Sequence, residues 1–149
     1  MGNSMLQQCF LREGVVYVPT TGKVDVGLYR GIEPVAVVPV ADNDALRNAL
    51  RETFARGNPP LPNLPRENRP LPATLRHAGL KTWRAFARGG STWTVRQRDG
   101  IYSIAGHKKS TDGNWVEDPD QLETFMAGTE SDAVIERLIA IMQKVAQAA

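Results

Sequence analysis

The sequence predicts an α+β domain, with an antiparallel sheet of about five or six strands and helices packed on one face. Apolar stretches with strand periodicity occur on both sides of the chain's midpoint, and stretches with helical spacing lie between and after them. Tight turns join the strands, whereas a parallel sheet needs long crossovers. With 149 residues, 42% of them hydrophobic, we expect a single domain, 1–149, whose two halves are joined by a proline-rich connection over 58–72.

The first half predicts three strands and a helix. Residues 15–18 form an apolar run, 20–23 supply a turn, and 24–28 alternate apolar with other residues, as a half-buried strand does. Residues 35–38 are apolar on both faces, which predicts a central strand bracketed by two prolines. A helix then begins after Asp42, a good cap, and ends at Gly57; its apolar positions are Leu46, Leu50 and Phe54, and its polar side carries Arg47 and Arg51.

Six of the ten prolines fall within 59–72, so this segment is predicted to be an extended connection. A P-x-x-P ligand for a proline-binding domain is the less favoured alternative. Residues 74–88 are helical in pattern, with a break at Gly79.

Asp99-Gly100, between two alternating runs, predicts a two-residue hairpin turn over 92–107. That register pairs 98 with 101, 96 with 103, 94 with 105 and 92 with 107. One face is then core, and the other is polar apart from Ile101. The core face carries Trp93, Val95, Tyr102 and Ile104, and the polar face carries Thr94, Arg96, Arg98, Ser103 and His107.

Asp112-Gly113 predicts a second hairpin leading into a strand at Trp115, which would set Asp118 across from His107. A helix is predicted over 131–147, with Thr129 and Asp132 at capping-box spacing. Its apolar stripe is broad enough to require a sheet beneath it; the stripe is Val134, Ile135, Leu138, Ile139, Ile141, Met142 and Val145.

Charge is sorted along the chain. Residues 47–109 hold thirteen Lys/Arg and three Asp/Glu, whereas 110–149 hold two and eight. This asymmetry indicates either a charged partner or two segments that neutralise each other in the fold.

The acidic segment is the predicted partner-binding site, because a tryptophan rimmed by carboxylates is a common interface anchor for a basic protein. Its residues are Asp112, Trp115, Glu117, Asp118, Asp120 and Glu123. The alternatives are a solvated loop with capping roles and a Trp115 that closes the end of the core.

A basic strip on the polar face of the hairpin is the second candidate surface, and it would serve a nucleic-acid-associated protein. It consists of Arg96, Arg98, His107 and Lys109, to which Arg84, Arg88, Arg47 and Arg51 add if they lie nearby. Base stacking needs aromatic side chains on the same face. Trp93 and Tyr102 are predicted on the opposite face, so the nucleic-acid function is the less favoured one.

No motif indicates catalysis, a cofactor or a metal, so we expect a protein that is not an enzyme. Cys9, His77 and His107 have no ligand spacing and no setting that would activate a nucleophile. Gly106 to Thr111 only partly matches a phosphate-binding loop, because Ile101 stands where the first glycine is required. A single cysteine, the lack of a secretory signal and the lack of a long apolar stretch predict a cytoplasmic protein with no membrane segment.

Four stretches carry a resemblance: PTTGKVDVGLY (19–29), IEPVAVV (32–38), HAGLKTWRAF (77–86) and DGNWVEDP (112–119). Together they resemble a group of small bacterial proteins of unassigned function. By size and composition the chain also resembles the immunity proteins of contact-dependent growth-inhibition and related toxin systems. That resemblance implies a cytosolic protein that binds and blocks a toxin domain without doing chemistry, and it assigns no binding residue.

Overall fold

A computed structural model describes residues 4–148 and confirms the α+β class. The strands are β1 (Ser4–Arg12), β2 (Val15–Val24), β3 (Tyr29–Pro39), β4 (Pro60–Leu61), β5 (Gly90–Arg98), β6 (Ile101–Lys109) and β7 (Trp115–Thr124), and the helices are α1 (Asn43–Arg56), α2 (Ala73–Ala78), α3 (Trp83–Ala87) and α4 (Ser131–Ala148). The sheet has the order β3-β2-β1-β5-β6-β7, with every neighbouring pair in this path antiparallel. The two residues of β4 pair with β2 in parallel.

The two long helices, α1 and α4, cover one face of the sheet. Their apolar residues join one core cluster with strand residues such as Cys9, Leu11, Trp93 and Val95. Phe10, between Cys9 and Leu11, points to the other face, as the alternation of a strand requires. There it packs in a second cluster with α2 and α3. The predicted single helical face is therefore correct for the long helices, while the two short ones lie opposite.

The hairpin over 92–107 is confirmed in its register. Arg98 pairs with Ile101, Arg96 with Ser103 and Thr94 with Ala105, and all four residues predicted for the core face are buried. Asp99 and Gly100 both have positive φ, the conformation that this two-residue turn requires. The helix after Asp42 is also confirmed: the Asp42 side chain accepts a hydrogen bond from the backbone N of Ala45, and Gly57 ends the helix.

The strand predictions in the first half need correction. Residues 20–23 belong to β2, the turn falls at 25–28, and no strand runs over 24–28. Thr20 and Thr21 are buried, and Gly22 lets the Leu61 side chain approach the strand, so tertiary packing outweighs their turn preference. Residues 35–38 lie in β3, an edge strand and not a central one, which is where prolines are tolerated.

β1 lies at the middle of the sheet, yet no strand is predicted there from the sequence. It lacks an alternating pattern because both of its faces are covered between Cys9 and Leu11, one by each cluster. The predicted register of the third hairpin strand was wrong by one residue, since Glu117 and not Asp118 pairs with His107. The Thr129 hydroxyl donates to the carbonyl of Met126, and α4 begins at Ser131.

Candidate functional site

The predicted acidic segment forms β7, the outer strand at one edge of the sheet. Val116 is 43% exposed and Leu122 is 53% exposed on this strand, and Met126, just after it, is 83% exposed. We call Val116, Asp120, Leu122 and Met126 the β7 edge. Apolar side chains that remain in water on an outer strand, with carboxylates between them, are typical of a contact surface.

Most carboxylates of the acidic segment have partners within the protein. Glu117 pairs with Arg96, and Arg137 donates to both carboxylate oxygens of Glu123 at 2.8 Å. These hydrogen bonds from Arg137 lower the pKa of Glu123. The Asp118 carboxylate accepts a hydrogen bond from the Gln121 amide at 2.9 Å and lies 3.9 Å from the Nζ of Lys108. The hydrogen bond from Gln121 is the main cause that lowers the pKa of Asp118.

Asp112 has a local role, since it accepts hydrogen bonds from the Ser110 hydroxyl and from the backbone N of Asn114. These bonds hold the turn before β7 and lower the pKa of Asp112. Asp120 differs, because no ion pair found in residues 4–148 includes its exposed carboxylate.

The sorted charge is therefore neutralised in part within the fold. Four ion pairs join the basic segment 47–109 to the acidic segment 110–149. They are Arg47–Glu136, Arg51–Asp132, Arg96–Glu117 and Lys108–Asp118. The first two connect α1 to α4, so Arg47 and Arg51 stabilise the helical layer and do not extend the basic strip.

Two cations of the basic strip belong to no ion pair found within the described range, 4–148. Arg98 and Lys109 are exposed, whereas Arg96 is paired with Glu117. The Nε2 of His107 lies 2.9 Å from the Thr94 hydroxyl, and burial lowers the pKa of His107, so its ring is neutral at pH 7. Lys109 borders a pocket of about 270 Å³ together with Arg84 and Arg88.

Trp115 packs into the second cluster. This position agrees with the alternative in which Trp115 closes the end of the core. Its ring centroid lies 5.7 Å from that of Phe86, 6.0 Å from that of Trp83 and 6.1 Å from that of Phe10. Phe10 and Trp83 stack at 4.8 Å. The half-buried Trp115 thus closes this cluster and still reaches the surface at the start of β7.

The second cluster forms one wall of a pocket of about 380 Å³, which no sequence pattern predicts. Residues from seven separate parts of the chain line it: Gln8, Phe10, Tyr29, Arg30, Gly31, Pro72, Trp83, Thr92, His107, Asn114 and Trp115. Of the predicted site residues, it brings together only Trp115 and His107. The sequence holds one signal of this pocket: its two tryptophans, Trp83 and Trp115, each lie in one of the stretches that carry the resemblance.

The structure does not assemble Cys9 and the two histidines. Cys9 is buried in the core beneath α4, which raises the pKa of its thiol to about 12, and its Sγ lies 3.8 Å from the sulfur of Met142. His77 contacts Glu33 at the protein surface, and His107 lies on the opposite face of the sheet from Cys9. Residues 4–148 contain no group of three or more His, Cys, Asp or Glu arranged to hold a metal ion. No helix in this range is long and apolar enough to span a bilayer.

Neither a protein-family model nor a curated protein sequence matches the chain. Its fold is similar to that of a Neisseria meningitidis protein of unknown function, NMB0488, with a TM-score of 0.60 over 90% of both chains. The two sequences are 13% identical, so the likeness concerns the fold alone.

Proposed function

We propose that this protein is a non-enzymatic binding protein of the bacterial cytosol, an immunity protein that binds a toxin domain and neutralises it. The observation that carries the proposal is the β7 edge, where apolar side chains stay exposed on either side of the Asp120 carboxylate, which no ion pair within residues 4–148 includes. Apolar side chains that leave water when a partner covers them contribute to affinity roughly in proportion to the apolar area that becomes buried.

The partner that fits this edge is a basic domain, such as a nuclease. Asp120 offers a carboxylate without a partner in the described chain, and the Arg96–Glu117 pair, in which Arg96 is half-buried and Glu117 exposed, is open to solvent on one side. A basic partner would be steered toward these groups, so its association rate would fall as salt is raised.

Side chains rather than backbone make the proposed contact. Pro119 lies within β7 and has no N–H to donate, and the pairing of β6 with β7 shifts register between Ala105 and His107. Both features interrupt the row of backbone groups that a partner strand would need.

The test is to sequence the region directly upstream of the coding region, to purify any toxin domain that it encodes, and to measure the binding kinetics of that domain to the protein. Asp120→Lys should slow association several-fold, because the steering charge is reversed. Leu122→Ala should speed dissociation, because an apolar anchor is lost. Glu67→Lys is the matched control, since it makes the same charge change at an exposed residue of the proline-rich connection.

Two outcomes would overturn the proposal. One is an upstream region that encodes no toxin domain, or a toxin domain that does not bind. The other is binding that Asp120→Lys and Leu122→Ala leave unchanged while circular dichroism shows both variants folded. The second outcome would move the interface to another surface, and the basic strip at Arg98 would be tested first.

A nucleic-acid-associated function remains the second candidate. It rests on Arg84, Arg88 and Lys109, three cations around one pocket. Filter binding with duplex DNA and with RNA at two salt concentrations decides between the two functions. Tight binding that weakens steeply with salt would favour nucleic acid, and weak binding at both concentrations would favour the protein partner.

A further inference from the structure

The pocket of about 380 Å³ beside the second cluster has the composition of a small-ligand site. Its volume lies at the lower end of the range for such sites, which is enough for one or two fused rings. Aromatic side chains make up much of its wall, while Gln8, Thr92 and Asn114 supply polar groups. Apolar walls with a few polar groups that converge are typical of sites that bind organic molecules in one orientation.

The aromatic wall favours a flat ring. Phe10, Trp83 and Trp115 pack against one another with centroids 4.8 to 6.1 Å apart, so their positions are fixed before any ligand enters. Trp83 and Trp115 are only partly buried, and both border the pocket. A rigid aromatic surface binds an aromatic ring with little loss of side-chain entropy.

The charge of the pocket favours an anion. Arg30 is a half-buried lining residue, and no ion pair found in the described chain, 4–148, includes its guanidinium. Lys23 adds a second cation near the pocket, with its Nζ 5.9 Å from the ring centroid of Tyr29. The lining residues include no carboxylate that would neutralise them.

His107 contributes a neutral group to the same pocket. Its ring is hydrogen-bonded to Thr94, and burial holds its pKa below the ordinary value. The cationic character of the lining therefore comes from Arg30 alone at pH 7. A guanidinium recognises a carboxylate through two parallel hydrogen bonds, which an ammonium group cannot make.

We propose that this pocket binds an aromatic carboxylate, with the ring against Trp83 and Trp115 and the carboxylate on Arg30. This site is separate from the toxin interface proposed above, and small probes test it without any toxin. The same chemistry occurs in a free aromatic acid and in an aromatic residue at the C-terminus of a polypeptide. Indole-3-acetate represents the first source, and N-acetyltryptophan represents the second.

The experiment follows the indole N–H signals of the ¹⁵N-labelled protein in NMR titrations with both probes. The signals of Trp83 and Trp115 should shift, while that of Trp93 should not, because Trp93 lies in the core on the other face of the sheet. N-acetyltryptophan amide has the same ring without the charge, and it should bind at least about tenfold more weakly than N-acetyltryptophan. Tighter binding of one probe identifies the source, and either result supports the shared chemistry.

In a second set of titrations Arg30 is replaced by Gln. Both carboxylate probes should then bind at least about tenfold more weakly than they bind the parent. Arg98→Gln is its control, since it removes an exposed arginine that does not line the pocket. Titrations that leave Trp83 and Trp115 unshifted at millimolar probe would overturn the inference. So would an amide that binds as well as the acid, or an Arg30→Gln protein that binds like the parent.

Discussion

Replacing Trp93 by alanine tests the core that holds the whole sheet together. Trp93 is 2% exposed on β5, and its neighbours across the sheet are Cys9 of β1 and Gly106 of β6. A tryptophan buries on the order of 200 Å², which at about 25 cal/mol per Å² corresponds to about 5 kcal/mol. Alanine recovers a small part of this, so the expected loss is about 3–5 kcal/mol of the free energy of unfolding.

Urea unfolding followed by far-UV circular dichroism measures this loss without relying on the fluorescence of the deleted residue. The midpoint should fall markedly, because the loss is a large share of the 5–15 kcal/mol that is typical of a domain. Arg98→Ala, an exposed change on the same strand, should stay within about 0.5 kcal/mol of the parent. A Trp93→Ala protein with the midpoint of the parent would refute the assignment of the two faces of the hairpin.

Three further predictions concern the packing at Gly90, the half-buried side-chain amide of Asn58 and the thiol of Cys9. Gly90→Ala should destabilise the protein by about 1–3 kcal/mol in the same urea assay. The new Cβ would overlap the carbonyl oxygen of Phe86, a backbone atom that cannot move away by a change of rotamer. An unchanged midpoint would show that α3 and β5 separate easily. Asn58→Ala should cost about 1–3 kcal/mol, because the Asn58 amide accepts from the N–H of Leu6 at 3.1 Å and donates to its carbonyl at 2.7 Å. Wild-type stability would mean that water replaces both bonds. Cys9 should resist a thiol reagent at pH 8 until urea unfolds the protein, and rapid labelling of the native protein would contradict its burial. Since folding raises the pKa of Cys9 to about 12, its contribution to stability is complete below the unfolded-state pKa of about 8.5 and declines as pH rises from there toward 12.

Local signals were sufficient for those elements whose structure depends on neighbours in the sequence. Asp99-Gly100 set the register of the β5–β6 hairpin, and Asp42 with Gly57 set both ends of α1, because turn and cap geometry involve only a few consecutive residues. The broad apolar stripe of α4 likewise indicated the sheet beneath it.

Elements that depend on distant contacts could not be predicted. β1 is covered on both faces, so it shows neither alternation nor a long apolar run. Thr20 and Thr21 look like turn residues, yet they are buried in β2, where Thr20 donates its hydroxyl to the carbonyl of Pro34 at 3.0 Å. Long-range packing decides such cases against local preference.

The candidate sites also combine features that the sequence shows with contacts that form only in the fold. The acidic segment was visible in the sequence as a run of carboxylates, but its partners Arg96, Lys108 and Arg137 could be paired with it only in three dimensions. The pocket draws on β1, β3, α3 and β6, so no window of the sequence contains it. Arg30, its one lining cation, stands in a stretch without other basic residues between Lys23 and Arg47.

The central claim is that the β7 edge docks a toxin domain, and amide hydrogen exchange of the complex tests it most directly. With a toxin domain encoded by the upstream region bound, exchange should slow over 116–126, because the partner would cover this edge and exclude water from it. Exchange over β3, at the opposite edge of the sheet, should stay as it is in the free protein. Protection confined to β3 or to the basic strip, with 116–126 unchanged, would contradict the claim.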